Sequence, residues 1–158
     1  MGLLSWIQNL ASGQGTDTSY DEHKTKNGAA QPHEEESKYG LNFIQAIEAH
    51  QKWKHRLGDY VEDKSKEKLD PATVGCDDKC VLGLWIYSSG QDAFGKEPLY
   101  EDMKQTHAKF HNLAGEIVRL KNSGDAKGAN DLLHSGMYGQ FSSKLQNIIA
   151  KLYLLKMD

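Results

Sequence analysis

Three histidines and one cysteine carry the chemistry that this 158-residue sequence offers. His107 and His111 are four residues apart, a spacing that stacks two imidazoles on one face of a helix where both reach a single ion. His50 and Cys80 fall on two other predicted helices whose apolar faces turn to the same core. Taken singly, each is an ordinary interior residue, a histidine satisfied by a neighbour or a thiol acting as a small hydrophobe. Taken as a set, three nitrogen donors and one sulfur donor in a helical interior match the tetrahedral set that Zn2+ favours. An ion there would also compensate for burying four groups that otherwise each need a separate partner.

The elements that must position these residues follow from hydrophobic periodicity. Phe43, Ile44, Ile47, His50, Leu57, Tyr60 and Val61 recur at spacings of three and four, which predicts a helix from about Leu41 to Glu62 with His50 inward. His55 is rotated from that face by about 140°. Asp70 and Pro71 form a capping residue and a first-turn proline. Asp77 is the expected cap of a further short helix through Cys80, Leu84 and Tyr87, and Gly90, Gly95 and Pro98 interrupt the chain after it. Met103, His107, Phe110, His111, Ala114, Ile117 and Val118 then line a second long helix that stops at Lys121–Asp125. The last helix is predicted from Ala126 through Leu133, Met137, Phe141, Leu145, Ile148, Ile149 and Leu152, tolerating Gly136 and Gly139. With no β-type alternation and short connections, the expected fold class is all-α: an antiparallel four-helix bundle with an additional short helix carrying the cysteine.

Ahead of the bundle the composition changes. Residues 12–40 are almost devoid of apolar side chains and include the acidic run Glu34 to Glu36, so they read as a flexible polar linker that cannot bury enough surface to offset its ordering entropy. Residues 1–11 form a short amphipathic helix with Leu3, Leu4, Ile7 and Leu10 on one face beside Trp6. That face is a candidate partner-binding surface on a tether of about 27 residues, reaching roughly 25–30 Å from the bundle. The alternative is that it docks on its own domain or a sister subunit. With no Lys or Arg on its polar face, membrane contact is disfavoured. Residues 41–158 are expected to make up the helical bundle that would hold the zinc ion.

Net charge and content exclude several classes. A charge of −3 and a pI of about 6.2 supply no basic field, so nucleic acid is not an expected partner. Two cysteines are too few for a disulfide framework, no secretory leader pattern opens the chain, and no apolar run approaches membrane length, so the cytoplasm is the expected compartment.

Cys80-Val-Leu82-Gly83-Leu-Trp85, with a histidine upstream on the first long helix and His-x-x-x-His downstream, resembles the chemoreceptor zinc-binding (CZB) domain over about residues 41–156. The family's signature is Cys-x-Leu/Phe-Gly-x-Trp between such histidines. The resemblance implies a site of three histidines and one cysteine, His50, Cys80, His107 and His111, in a bundle that forms homodimers. It also implies a cytoplasmic sensory module of bacteria, similar to those fused to chemoreceptor signalling regions or diguanylate cyclases, that senses zinc or hypochlorous acid. No methyl-accepting coiled coil and no cyclase region accompanies it here, so the output is expected to pass through a protein partner such as a chemoreceptor or diguanylate cyclase.

A metal-bound thiolate at Cys80, near a helix N-terminus though opposed by Asp77 and Asp78, is what an oxidant attacks, and Cys76 one turn away is a candidate resolving thiol or replacement ligand. Competing readings fare less well. A zinc hydrolase needs an open coordination position and a general base, whereas four protein ligands close the site and Glu116 lies off the ligand face. A di-iron bundle needs more histidines and paired carboxylates than the inward faces supply; His23 and His33 are in the linker and His134 is on the last helix. No enzymatic activity is therefore expected. The remaining alternative is a structural zinc in a protein-interaction adaptor without sensing.

Overall fold

The computed structural model describes residues 3–13 and 37–155. Its elements are α1 (Leu3–Ala11), β1 (Ser37–Lys38), β2 (Leu41–Asn42), α2 (Phe43–Val61), α3 (Pro71–Gly75), α4 (Val81–Ile86), α5 (Ser89–Phe94), α6 (Pro98–Asn122), α7 (Ala126–Leu133) and α8 (Gly136–Leu155). The fold is an all-α bundle, as expected, but its four main helices resolve into three long ones, α2, α6 and α8, with five shorter helices packed on them among the described residues. α3 lies on α6, α7 bridges α2 and α6, and α1 lies on α8. The centre is apolar and closed: Ile47, Leu57, Phe110, Ile117, Val118, Leu145, Ile149 and Leu152 are fully buried.

Local chemistry sets the helix boundaries. Asn42 caps α2 by accepting from the Gln45 amide at 3.0 Å. Asp70 accepts from the Thr73 amide at 2.8 Å and Pro71 occupies the first turn of α3, both as the sequence predicts. α6 ends where Gly124 takes φ +91° and the Gly124 and Asp125 amides bond back to Lys121 and Leu120, a Schellman arrangement that only a residue tolerant of the left-handed region closes without strain.

Three expectations are corrected. The helix predicted to run unbroken from Ala126 splits at His134–Ser135, where the Ser135 hydroxyl accepts from the Tyr138 amide at 3.4 Å and starts α8 afresh. The restart resets the helical phase, so Tyr138 is buried while Met137, expected inward, is 55% exposed. The linker expected to end at residue 40 gives way earlier: Ser37 pairs with Asn42 and Lys38 with Leu41 across a two-residue turn in which Tyr39 and Gly40 both have positive φ, the I′ geometry that matches strand twist. Most of that linker, including His23 and His33, lies outside the described residues. Finally, the amphipathic face of α1 is occupied. Trp6, Ile7 and Leu10, a candidate partner surface whose alternative is docking on its own domain, follow the alternative: they are buried in the chain's own core against α8, and the Asn147 side-chain amide donates to the Leu10 and Ala11 carbonyls at 2.7 and 2.8 Å, closing the end of α1. Leu4 stays largely exposed.

The approach of α3 to α6 is the contact that matters most for the interior histidines, and it rests on two glycines that face each other. A Cβ on Gly115 would come to 2.8 Å from the Gly75 Cα and 2.9 Å from the Pro71 carbonyl oxygen, so no larger residue fits between the two backbones. Gly115→Ala should destabilise the protein by about 1–3 kcal/mol in urea unfolding, the cost of overpacking a closed contact. Gly139→Ala, whose Cβ would meet nothing within 4 Å, should instead stabilise by roughly 0.5–1 kcal/mol. For α1, Trp6→Ala should remove hydrogen-exchange protection from the α1 amides while leaving α6 protected, since the docked face is lost without touching the bundle centre.

Candidate metal centre

His50, Cys80, His107 and His111 converge, each offering one donor atom, with all four atoms within 4.8 Å of one another. His50 comes from α2, His107 and His111 from α6, and Cys80 from the cap of α4. The imidazole rings meet edge to face, with centroids 4.6 Å apart for His107 and His111 and 5.3 Å for His50 and His107. Phe110 closes the floor at 5.3 Å from the His50 ring. The Cys80 sulfur is 3.3 Å from His107 Nε2, close to the separation of about 3.3–3.6 Å that two ligands of one tetrahedral ion adopt at Zn–N and Zn–S bond lengths.

Two of the three rings are oriented by backbone. His50 Nδ1 lies 2.6 Å from the Ala46 carbonyl, one turn back on its own helix, and His111 Nδ1 lies 2.8 Å from the Val74 carbonyl of α3. With Nδ1–H donating to those oxygens, Nε2 of each ring carries its lone pair toward the cluster. Both Nε2 atoms are buried with no hydrogen-bond partner among the described residues. The Val74 carbonyl reaches His111 because Gly75 and Gly115 allow α3 to sit against α6. His107 differs: its Nε2 faces Cys80 while its Nδ1 is buried and unpartnered.

Burial holds all three imidazoles neutral, the form that binds metal. His50 is lowered to about 4, chiefly by desolvation, partly offset by its bond to Ala46; His107 is lowered to about 2 by desolvation and by the neighbouring His50 and His111; His111 is also lowered by burial. The Cys80 thiol moves the other way. Burial raises it, outweighing the amides of Gly83 and Leu82 that favour the thiolate, and Asp77 adds to the rise. The helix N-terminus therefore does not outweigh burial, and the thiolate form depends on a cation beside the sulfur, as the metal-bound thiolate expected from the sequence requires. A buried set of neutral nitrogens and one thiol, with bare Nε2 atoms aimed inward, fits a metal ion.

Cys80, expected within a short helix, is instead the N-cap of α4, its sulfur accepting from the Gly83 amide at 3.3 Å. Asp77 and Asp78 form the turn before it instead of capping it. Gly83 is required there, since any Cβ would collide with the Asp77 carbonyl oxygen, so the glycine serves this turn and not a helix crossing. Trp85 is the core anchor expected. It packs edge to face on Phe43, Phe94 and Tyr100 with centroids 5.5–6.1 Å away, and its indole N–H donates to the Tyr39 carbonyl at 2.7 Å. Tyr100 Oη donates to the Ile86 carbonyl, pinning the far end of α4 to α6.

Cys76 is exposed and caps the C-terminus of α3, outside the four-donor group. His55 and His134 are exposed and take no part. What sequence reasoning missed is a cleft of about 370 Å³ that opens from solvent onto Cys80 and His111, with Trp53, Arg56, Cys76 and Lys79 along its walls. Arg56 lies 4.3 Å above the Trp53 ring and pairs through two nitrogens with Glu67.

Residues 50–118 match the family model described as the chemoreceptor zinc-binding domain, a span a little under half of the chain that holds all four donors. Over that span the chain is similar to the CZB domain. No curated protein and no solved structure matches it. The matched span is narrower than the bundle: α7 and α8, which cover α2 and α6, lie outside it, as does α1 docked on α8. No helix among the described residues is long and apolar enough to cross a membrane.

If the outer bonds to carbonyls matter, the four donors should not be equivalent. Gly115→Ala, which pushes α3 and the Val74 carbonyl away from His111, should lower metal affinity about 10-fold or more in competition with a chromophoric chelator, although it removes no donor. Cys76→Ser should leave the affinity unchanged.

Proposed function

We propose that His50, Cys80, His107 and His111 hold one zinc ion and that the domain is a cytoplasmic sensory module reading zinc or hypochlorous acid through Cys80, with its output passed to a partner protein by a homodimer. The observation that carries this reading is the convergence of three buried imidazoles and a thiol, two of the rings tied by Nδ1 to backbone carbonyls so that bare Nε2 atoms face one point. Zinc, when bound, supplies the positive charge that turns the Cys80 thiol into a thiolate. Four protein donors leave no open position for an activated water, and this supports a regulatory role over a hydrolytic one.

The chain's own residues supply the rest. The cleft gives a small oxidant a route to the sulfur, the most exposed of the four donors. Thiolate attack on hypochlorous acid yields a sulfenic acid and chloride: the sulfur takes the oxygen and proton and is oxidised by two electrons, and the chlorine is reduced and leaves as Cl⁻. The Cys76 thiol can then condense with the sulfenic acid, forming the S–S bond and releasing water. Cys76 ends α3 and Cys80 begins α4, with the Asp77–Lys79 turn between them, so this step does not require unwinding a helix. Loss of the sulfur as a donor would release the point where α2, α6 and α4 meet.

The test is metal content by mass spectrometry of protein purified without a histidine tag, with zinc release followed during addition of hypochlorous acid. Near-stoichiometric zinc, at least 10-fold weaker binding by Cys80→Ser and release in step with sulfur oxidation are expected. Zinc retained while Cys80 is fully oxidised would overturn sensing and leave a structural ion. Protein that neither contains nor takes up zinc would overturn the site. In Cys76→Ser, the sulfenic acid should persist and label with dimedone; a disulfide that still forms within the chain is impossible there, so unchanged sulfenic lifetime would remove Cys76 from the scheme.

A further inference from the structure

The helix that presents Cys80 has two faces of opposite character. Leu82, Gly83, Trp85 and Ile86 of α4 are buried, and Val81, Leu84 and Tyr87, spaced by three, are 73%, 61% and 50% exposed. These three account for three of the seven large hydrophobic residues exposed among the described part of the chain, gathered on one short helix and its cap. Beside them a hollow is lined by Asp77, Asp78, Leu84, Tyr87 and Ser88. Tyr87 Oη donates to Asp77 Oδ2 at 2.6 Å and so holds that carboxylate at the rim, and no ion pair involves Asp77 or Asp78 among the described residues. The phenol is pushed up to about 12 by that bond, by burial and, less, by the charges of Asp77 and Asp78. Lys104 Nζ lies 5.3 Å from the Tyr87 ring centroid.

We propose that this outer face of α4 docks a cationic amphipathic segment of a partner protein, apolar side chains on Val81, Leu84 and Tyr87 and Lys or Arg against Asp77 and Asp78. Size and charge select that occupant. Three partly exposed side chains offer on the order of 300 Å², well short of the roughly 800 Å² per partner that a stable dimer buries, and enough for a short segment. An apolar stripe edged by unpaired carboxylates discriminates for flanking positive charge, because an acidic segment would bring like charges together on the same face. The face lies outside the four-donor cluster and stands whether or not those donors hold zinc.

The full chain, labelled with ¹⁵N, would be titrated with two synthetic 14-residue helical peptides identical except that one carries Leu and Lys and the other Leu and Glu. The expected result is amide shifts confined to residues 77–88 and their contacts for the Leu/Lys peptide alone, with affinity falling at least 10-fold in Leu84→Glu and several-fold in Asp77→Asn/Asp78→Asn. Leu84 is exposed, so its variant should fold, and an unchanged spectrum away from α4 checks that it does. Equal binding of both peptides, shifts centred elsewhere, or affinity unmoved by Leu84→Glu would overturn the proposal. So would sedimentation showing a dimer of the free chain that Leu84→Glu makes monomeric, which would give the face to a second copy.

Discussion

Bare imidazole nitrogens in a closed core are the constraint around which this molecule is arranged. A buried donor or acceptor without a partner costs about 1–3 kcal/mol, and the described core contains His50 Nε2, His111 Nε2 and His107 Nδ1 in that condition within one cluster. Protonation gives no relief, because burial lowers all three rings. A cation bound by Nε2 of His50 and His111 would satisfy two of those atoms together and draw the Cys80 proton off in the same event. The remaining one, His107 Nδ1, explains why His107 is the ring whose orientation depends on its neighbours and not on a carbonyl.

The surrounding structure divides into parts that fix geometry and parts that permit change. Fixing falls to the Ala46 and Val74 carbonyls, to the Gly75–Gly115 contact that brings the second of these within reach, and to the aromatic cluster around Trp85. Each acts through close packing or through a main-chain group, neither of which shifts without moving a helix. The turn from Cys76 to Cys80 is held differently. It is anchored by the part-buried sulfur–amide bond to Gly83, by the close backbone approach of Gly83 to Asp77, and at the surface by the Tyr87–Asp77 bond. Of the four donors, only the sulfur is carried by a turn and not by the body of a long helix.

The sequence made the long elements and the donors legible because both are written in side-chain spacing. Ile44, Ile47 and His50 share a face, as do His107, Phe110, His111 and Ala114, and the structure buries every one. Cys80 was harder: its place at the head of α4 depends on Gly83 fitting against the Asp77 carbonyl, a contact between backbones that leaves only a glycine in the sequence. The same holds for Gly115, which the periodicity of α6 gives no reason to single out. The split at Ser135 is hidden by Leu133, Met137, Phe141 and Leu145, which follow one another at spacings of four as in one continuous helix, while the restart buries Tyr138 and exposes Met137. For α1, an amphipathic face says that something will cover it and nothing about what; the Asn147 side chain that closes its C-terminus is 136 residues from Ala11.

The distribution of exposure among the four donors bears on why one of them is sulfur. His50, His107 and His111 are at most 3% exposed, while Cys80 is partly exposed and lines the cleft. Imidazole nitrogens resist oxidation under conditions that oxidise a thiolate, so a fourth histidine at the open position would bind an ion without responding to solvent chemistry. A cysteine buried as deeply as His107 would be equally silent for want of access. The observed arrangement joins the one oxidisable donor to the one accessible position, and that position is also a helix cap. Displacing the sulfur removes a metal ligand and the acceptor of the Gly83 amide together, so the chemistry at a single atom is coupled to the first turn of the helix whose outer face meets solvent.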